Sequence, residues 1–121
     1  MLASFAFIPL CRPRPVKRLP TGDAWLHEPK LDGWRLQAVK RGTDVALYSR
    51  QGRPFTQRFP SIADAIAMLP YRSVTLDGEL VLAGDGGIDF YGLRGARRAD
   101  DVSFWAFVCL SWTARICASC R

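Results

Sequence analysis

Long apolar runs are missing from this chain, and no stretch is long enough to span a bilayer. The first ten residues are apolar but lack a basic leader and a small-residue cleavage site, so they do not read as a signal peptide, and the cytoplasm is the expected location. Histidine occurs once, as His27. Of the four cysteines, three (Cys109, Cys117 and Cys120) lie in the last thirteen residues, which excludes the disulfide framework of a secreted domain. Cys117-Ala118-Ser119-Cys120 has the spacing of half a zinc site, but no second pair exists and His27 is far away in sequence. Lysine is scarce too. Only Lys17, Lys30 and Lys40 occur among seventeen basic residues, and the other fourteen are arginines.

What is present suits one small soluble domain: 121 residues, 49% hydrophobic, 23% charged. The net charge of +6 is unevenly spread, with eleven basic against four acidic residues in positions 1–60 and six against seven in 61–121. A basic front half points to a polyanionic partner such as nucleic acid or nucleotide, and arginine suits forked phosphate contacts. The lead-in, residues 1–24, holds four prolines among basic residues and reads as extended chain. Trp25-Leu26-His27-Glu28 is expected to form a short strand that Pro29 ends. Asp32-Gly33 is a turn pair. Residues 34–40 alternate as a strand, with Trp34, Leu36 and Ala38 on one face and Arg35, Gln37 and Val39 on the other. Residues 45–49 return as the next strand.

A polar loop, Ser49-Arg50-Gln51-Gly52-Arg53, precedes a helix. Its expected N-cap is Ser61, its apolar face carries Ile62, Ile66 and Leu69, and Pro70 stops it. Residues 71–82 read as a strand and Gly84-Asp85-Gly86-Gly87 as a tight turn. A basic segment with Arg94, Arg97 and Arg98 then leads to a last strand over 103–110. Strands outnumber helices and no internal repeat occurs, so the fold class is α+β with a largely antiparallel sheet.

Two constellations carry chemistry. Lys30 lies between Pro29 and Leu31, which are expected to stiffen and partly desolvate it. Glu28 and Asp32, each two residues away, are placed on its side by extended geometry. A lysine held this way can serve as a nucleophile, because only the neutral amine attacks. In Leu76-Asp77-Gly78-Glu79-Leu80-Val81-Leu82, the leucines share one face and Asp77 and Glu79 the other. Two carboxylates on an apolar strand are costly unless they meet a cation, and Mg²⁺ suits a few carboxylate oxygens completed by water and phosphate. Gly78 between them leaves room for something to approach.

Lys30-Leu31-Asp32-Gly33-Trp34-Arg35 resembles the K-x-D-G-x-R nucleotidyltransferase motif of ATP-dependent DNA ligases. Ser49-Arg50 is similar to the second motif, Leu76-Asp77-Gly78-Glu79-Leu80 to the third, and Phe104-Trp105-Ala106-Phe107 to the start of the aromatic motif, in the family's order. Trp25-Leu26-His27-Glu28-Pro29 and Arg58-Phe59-Pro60 resemble the bacterial end-joining type, and the resemblance covers residues 8–107. It implies a partial ATP-grasp-like nucleotidyltransferase domain in residues 25–107, acting as a monomer on nicked double-stranded DNA with ATP and Mg²⁺. By residue, the resemblance implies attack by Lys30 on the α-phosphorus of ATP, recognition of the adenine amino group by Glu28, and contact of Arg35 with the ribose side. It further implies contact of Arg50 with nucleotide or DNA backbone, a role for Glu79 in binding ribose or Mg²⁺, and stacking of Phe107 on adenine. Asp32, Gly33, Asp77 and Gly78 support these groups. Other readings are an RNA ligase or capping-type nucleotidyltransferase, and a non-catalytic basic nucleic-acid-binding remnant.

After Phe107 the family pattern stops. Trp112-Thr113 requires an aspartate codon at its junction in the frame one base upstream. With permissible codons, that frame reads Leu-Asp-Gly-Thr-Asp-Leu-Arg-Glu-Leu-Pro, similar to the family's continuation. A frameshift near codons 107–108 is therefore expected, with residues 108–121 as an off-pattern tail; an intact gene on resequencing overturns it. No E-G-x-x-x-K pattern and no K-x-K pair occurs. The expected product is the N-terminal part of an adenylation domain with an incomplete nucleotide pocket.

Overall fold

The computed structural model describes residues 5–84, 87–95 and 101–113. Five strands and two helices follow in the order β1 (Trp34–Arg41), β2 (Asp44–Ser49), α1 (Pro60–Ala67), β3 (Ser73–Gly84), β4 (Gly87–Ile88), α2 (Gly92–Gly95) and β5 (Val102–Thr113). Every strand pairing is antiparallel. β1 lies between β2 and β3, β5 lines the other side of β3, and β4 is a short hairpin return on the end of β3. This is the α+β, largely antiparallel arrangement that the alternation pattern predicts.

The period-two pattern separates the faces of the sheet. Leu36, Ala38, Leu47 and Leu80 are buried on one face beneath Phe59, Ile62 and Ile66 of the α1 region, with Leu93 and Val102 closing the side. Arg58 lies over the Trp34 ring at 4.7 Å and donates to the carbonyls of Leu93 and Arg94, fastening α2 to the aromatic cluster. Lys40 shares the core face and is buried. Its Nζ donates to the carbonyls of Ala67 and Leu69, which the end of α1 leaves without helical partners.

Several local expectations are corrected. Residues 25–28 form no strand. They run as exposed irregular chain, because no neighbouring strand pairs with them. Ser61 is not the N-cap: Phe59 is, two residues earlier, with Pro60 in the first turn, where a missing N–H costs nothing. The strand expected from residue 71 begins at Ser73, and the last strand continues beyond residue 110 to Thr113. Arg97, Arg98, Cys117 and Cys120 lie outside the described residues.

The lead-in is pinned to the sheet. The buried Gln37 side chain accepts from the Ile8 N–H at 2.8 Å and donates to the Ile8 carbonyl at 2.9 Å, imitating a ladder rung. Tyr48 donates to the Phe5 carbonyl at 2.6 Å, and the Phe7 ring packs edge-on against Tyr48. Residues 5–13 thus form a strap across the face opposite the core.

Candidate nucleotide and phosphate site

Antiparallel register brings the two chemical motifs together. Arg35 faces Glu79 and Gln37 faces Asp77 across β1 and β3, so all four project from the face that bears the strap. Gly33 approaches β3 so closely that a Cβ there would lie 1.9 Å from the Leu80 carbonyl oxygen. Its N–H reaches Glu79 Oε1 at 3.2 Å, tying the Lys30 turn to β3.

The two carboxylates divide their work. Asp77 is buried and takes both ends of the Arg35 guanidinium, at 2.6 Å to Nε and 2.7 Å to Nη2. That hydrogen bonding holds Arg35 above its ordinary pKa. Glu79 is only half-buried. Desolvation pushes its carboxyl up, outweighing the opposing Gly33 N–H, Arg35 and Lys30. Asp77 is thus committed to a cation of the protein itself, and of the two Glu79 carboxylate oxygens only Oε1 has a hydrogen-bond partner among the described residues. Among the described residues no group of three or more His, Cys, Asp or Glu could hold a metal ion.

Phe107 joins this site through a break in β5. The β3–β5 register slips between Asp77 and Gly78, whose partners are Val108 and Ala106, so Phe107 has no residue opposite. A bulge re-aims its side chain, and the Phe107 ring lies 4.9 Å beneath the Arg35 guanidinium. A second slip leaves Leu110 unpaired. Gly78 serves this packing rather than an approaching ligand, which corrects the sequence reading: a Cβ there would meet the Trp105 carbonyl oxygen at 2.4 Å and the Phe104 ring at 2.6 Å.

Lys30 differs most from expectation. Its side chain is 87% exposed, so Pro29 and Leu31 do not desolvate it. Of the two acidic neighbours only Asp32 is close, at 3.7 Å, while Glu28 is exposed on the irregular segment. The structure therefore gathers Lys30, Asp32, Gly33, Arg35, Asp77, Glu79 and Phe107, and leaves Glu28 apart. Beside them a cleft of about 290 Å³ is lined by Leu31, Val81, Ile88, Ser103 and Trp105. Arg50 lines a different cleft, of about 350 Å³, together with Arg12, Arg35 and Gln51. The polar loop holds Arg50 in place through Ser49, whose carbonyl takes the Gly52 N–H and whose Oγ takes the Arg53 N–H. Arg12 and Gln51 were not singled out from sequence. The signal that leads to their cleft is Gln37, an amide in the middle of β1 that needs partners once buried.

The model of the ATP-dependent DNA ligase domain matches residues 13–111, and the chain belongs to that family. It is 46% identical over 69 residues to DNA ligase C of Mycobacterium tuberculosis, covering 56% of this chain and 19% of that protein. It is 40% identical over 82 residues to the multifunctional non-homologous end joining protein LigD of Pseudomonas aeruginosa, covering 67% of this chain and 10% of that one. The crystal structure of the ligase domain of M. tuberculosis LigD superposes with a TM-score of 0.61 at 35% identity, over 73% of this chain and 30% of that domain. A mycobacterial DNA ligase D complexed with ATP and MES gives 0.60 at 33% identity, over 73% of this chain and 30% of that chain. The chain thus spans a fifth or less of these two curated relatives. Among the described residues no helix is long and apolar enough to cross a membrane.

Proposed function

We propose that this chain carries the lysine of an ATP-dependent DNA ligase that becomes adenylylated, and that it works on nicked duplex DNA in the cytoplasm. The neutral Lys30 amine attacks the α-phosphorus of ATP, forming a P–N bond as pyrophosphate leaves. AMP then passes to a 5′-phosphate at the nick, regenerating the amine, and the 3′-hydroxyl displaces AMP to seal the strand. Arg35 contacts the ribose side, Arg50 offsets phosphate charge, Phe107 offers a face to adenine, Glu79 binds ribose and Glu28 the adenine amino group. Mg²⁺ would find one protein oxygen at Glu79, which fits an ion that completes its shell with phosphate and water and neutralises phosphate charge. A monomer suffices for these steps.

The observation that carries the reading is the β1–β3 register, which sets Arg35 and Glu79 on one face, together with the Gly33–Glu79 bond that ties the Lys30 turn to β3. Incubation with labelled ATP or GTP and Mg²⁺ tests it. Label from ATP, lost in Lys30→Ala, is expected; label from GTP alone would indicate capping-type chemistry. Nick sealing by these 121 residues is expected to be weak or undetectable, because the lysines of the later motifs are missing from them.

The exposure of Lys30 favours a second reading, a basic nucleic-acid-binding remnant without a covalent step. It is distinguished by DNA affinity that Lys30→Ala leaves almost unchanged, together with no label from either nucleotide.

A further inference from the structure

The two clefts share no lining residue. The one beside Leu31 adjoins the Lys30 turn. The larger one lies beneath the strap, and none of its lining residues belongs to that turn. Arg12, Arg35 and Arg50 converge on this larger cleft, and no acidic side chain lines it. Asp77 already matches the charge of Arg35. Among the described residues Arg12 and Arg50 make no hydrogen bond or ion pair.

The walls are set before anything binds. The Gln37–Ile8 pair, the Tyr48–Phe5 hydrogen bond and the Arg35–Cys11 carbonyl contact hold the strap. The opposite wall is held where Phe7 packs under Gly52. Gly52 has a φ of 79°, and a Cβ there would lie 3.0 Å from the Phe7 ring, so the loop and the strap are fitted to each other.

We propose that Arg12, presented by the strap, joins Arg50 in seating a phosphate of a nucleic-acid strand in this cleft. Two forked donors on fixed walls with no competing carboxylate suit a phosphate monoanion. A cleft of this volume admits a group about the size of one nucleotide. The cleft meets the nucleotide site only at Arg35, whose charge Asp77 matches; Arg12 and Arg50 lie on the strap side, which assigns the phosphate to the strand. The identity of the strand as nicked DNA rests on the ligase reading; the seat rests on the strap.

Fluorescence anisotropy of the full chain with a labelled nicked duplex tests this, comparing Arg12→Ala, Arg12→Lys and Arg72→Ala. Arg72 is exposed and precedes β3 at its far end, so its variant removes the same charge elsewhere. Arg12→Ala is expected to weaken binding about tenfold, as loss of a charged hydrogen bond does. It should also flatten the salt dependence by about one phosphate contact. Arg12→Lys, which restores charge without the fork, should bind at an intermediate level, and this separates phosphate contact from loosening of the strap. Arg72→Ala should lose no more than about twofold, since surface charge acts weakly and through screening.

Wild-type affinity in Arg12→Ala, or an equal loss in Arg72→Ala, overturns the seat. Parallel titration with fluorescent ATP separates the sources: a loss for ATP alone overturns the assignment to the strand. If wild type binds DNA and labels at Lys30 while Arg12→Ala behaves normally, only this inference falls. If wild type neither binds DNA nor labels, the ligase reading falls and the seat with it.

Discussion

Glu79 is half-buried while it accepts the Gly33 N–H, and its proton makes the site sensitive to pH. Its folded-state pKa is raised, so the fold favours the protonated form. The associated stability is fully present below the ordinary glutamate range and is lost as pH rises through the raised value. Melting temperature measured across mildly acidic pH should carry this decline in wild type and lack it in Glu79→Gln; parallel curves would remove Glu79 as the cause. The Arg35–Asp77 pair gives a different signature. Asp77 is buried and accepts two hydrogen bonds, so Arg35→Ala strands a carboxylate and should cost about 3–5 kcal/mol in denaturant unfolding. A loss below about 1 kcal/mol would show that water reaches Asp77. Alternation in a strand could put Asp77 with Glu79 and Arg35 with Gln37 on shared faces, and the resemblance to the ligase motifs joined Lys30 to them. Neither could reveal that Asp77 is occupied by Arg35, since that contact joins residues 42 positions apart through a register no local pattern specifies.

At the scale of elements, the strands were readable where alternation met turn glycines and prolines, and boundaries missed by one to three residues. The expected strand at residues 25–28 failed for a plain reason: a strand needs a neighbour, and β1 already pairs with β2 on one side and β3 on the other. The strap was unreadable as an element, since it is held by the Gln37 amide and the Tyr48 hydroxyl rather than by a backbone ladder. Gly78 was noticed but misread, because its crowding comes from β5, which lies far along the chain. Gly78→Ala is therefore expected to push β5 away from β3 and to cost about 1–3 kcal/mol, the range for overpacking a close contact. Hydrogen exchange should speed up along β5 and the facing part of β3 more than in β1–β2. Exchange raised uniformly over the sheet would instead mean a global loss of stability with no local origin at the bulge.

The whole molecule presents one unbalanced surface. Among the described residues β5 pairs only with β3, so no described strand covers the other edge of its twelve residues. Along that strand Trp105, Phe107, Val108, Leu110 and Trp112 are between 39% and 61% exposed. Single exposed apolar residues are ordinary, but five along one open edge strand make a template for pairing with another chain. Two of them, Phe107 and Leu110, fall at the register breaks, where the ladder to β3 is already interrupted. The net charge of +6 opposes association at low salt, and screening weakens that opposition as salt rises. Light scattering behind size exclusion should therefore show a monomer fraction that falls with protein concentration and with added salt. Val108→Lys with Leu110→Lys should restore the monomer while far-UV circular dichroism stays the same, because neither side chain belongs to the core cluster. Association that persists in the double variant would move the contact away from β5, to Trp25 and Leu26 on the exposed segment before Lys30. That outcome would also bear on catalysis, since copies meeting there would cover the nucleophile, and covalent label from ATP should then fall as protein concentration rises.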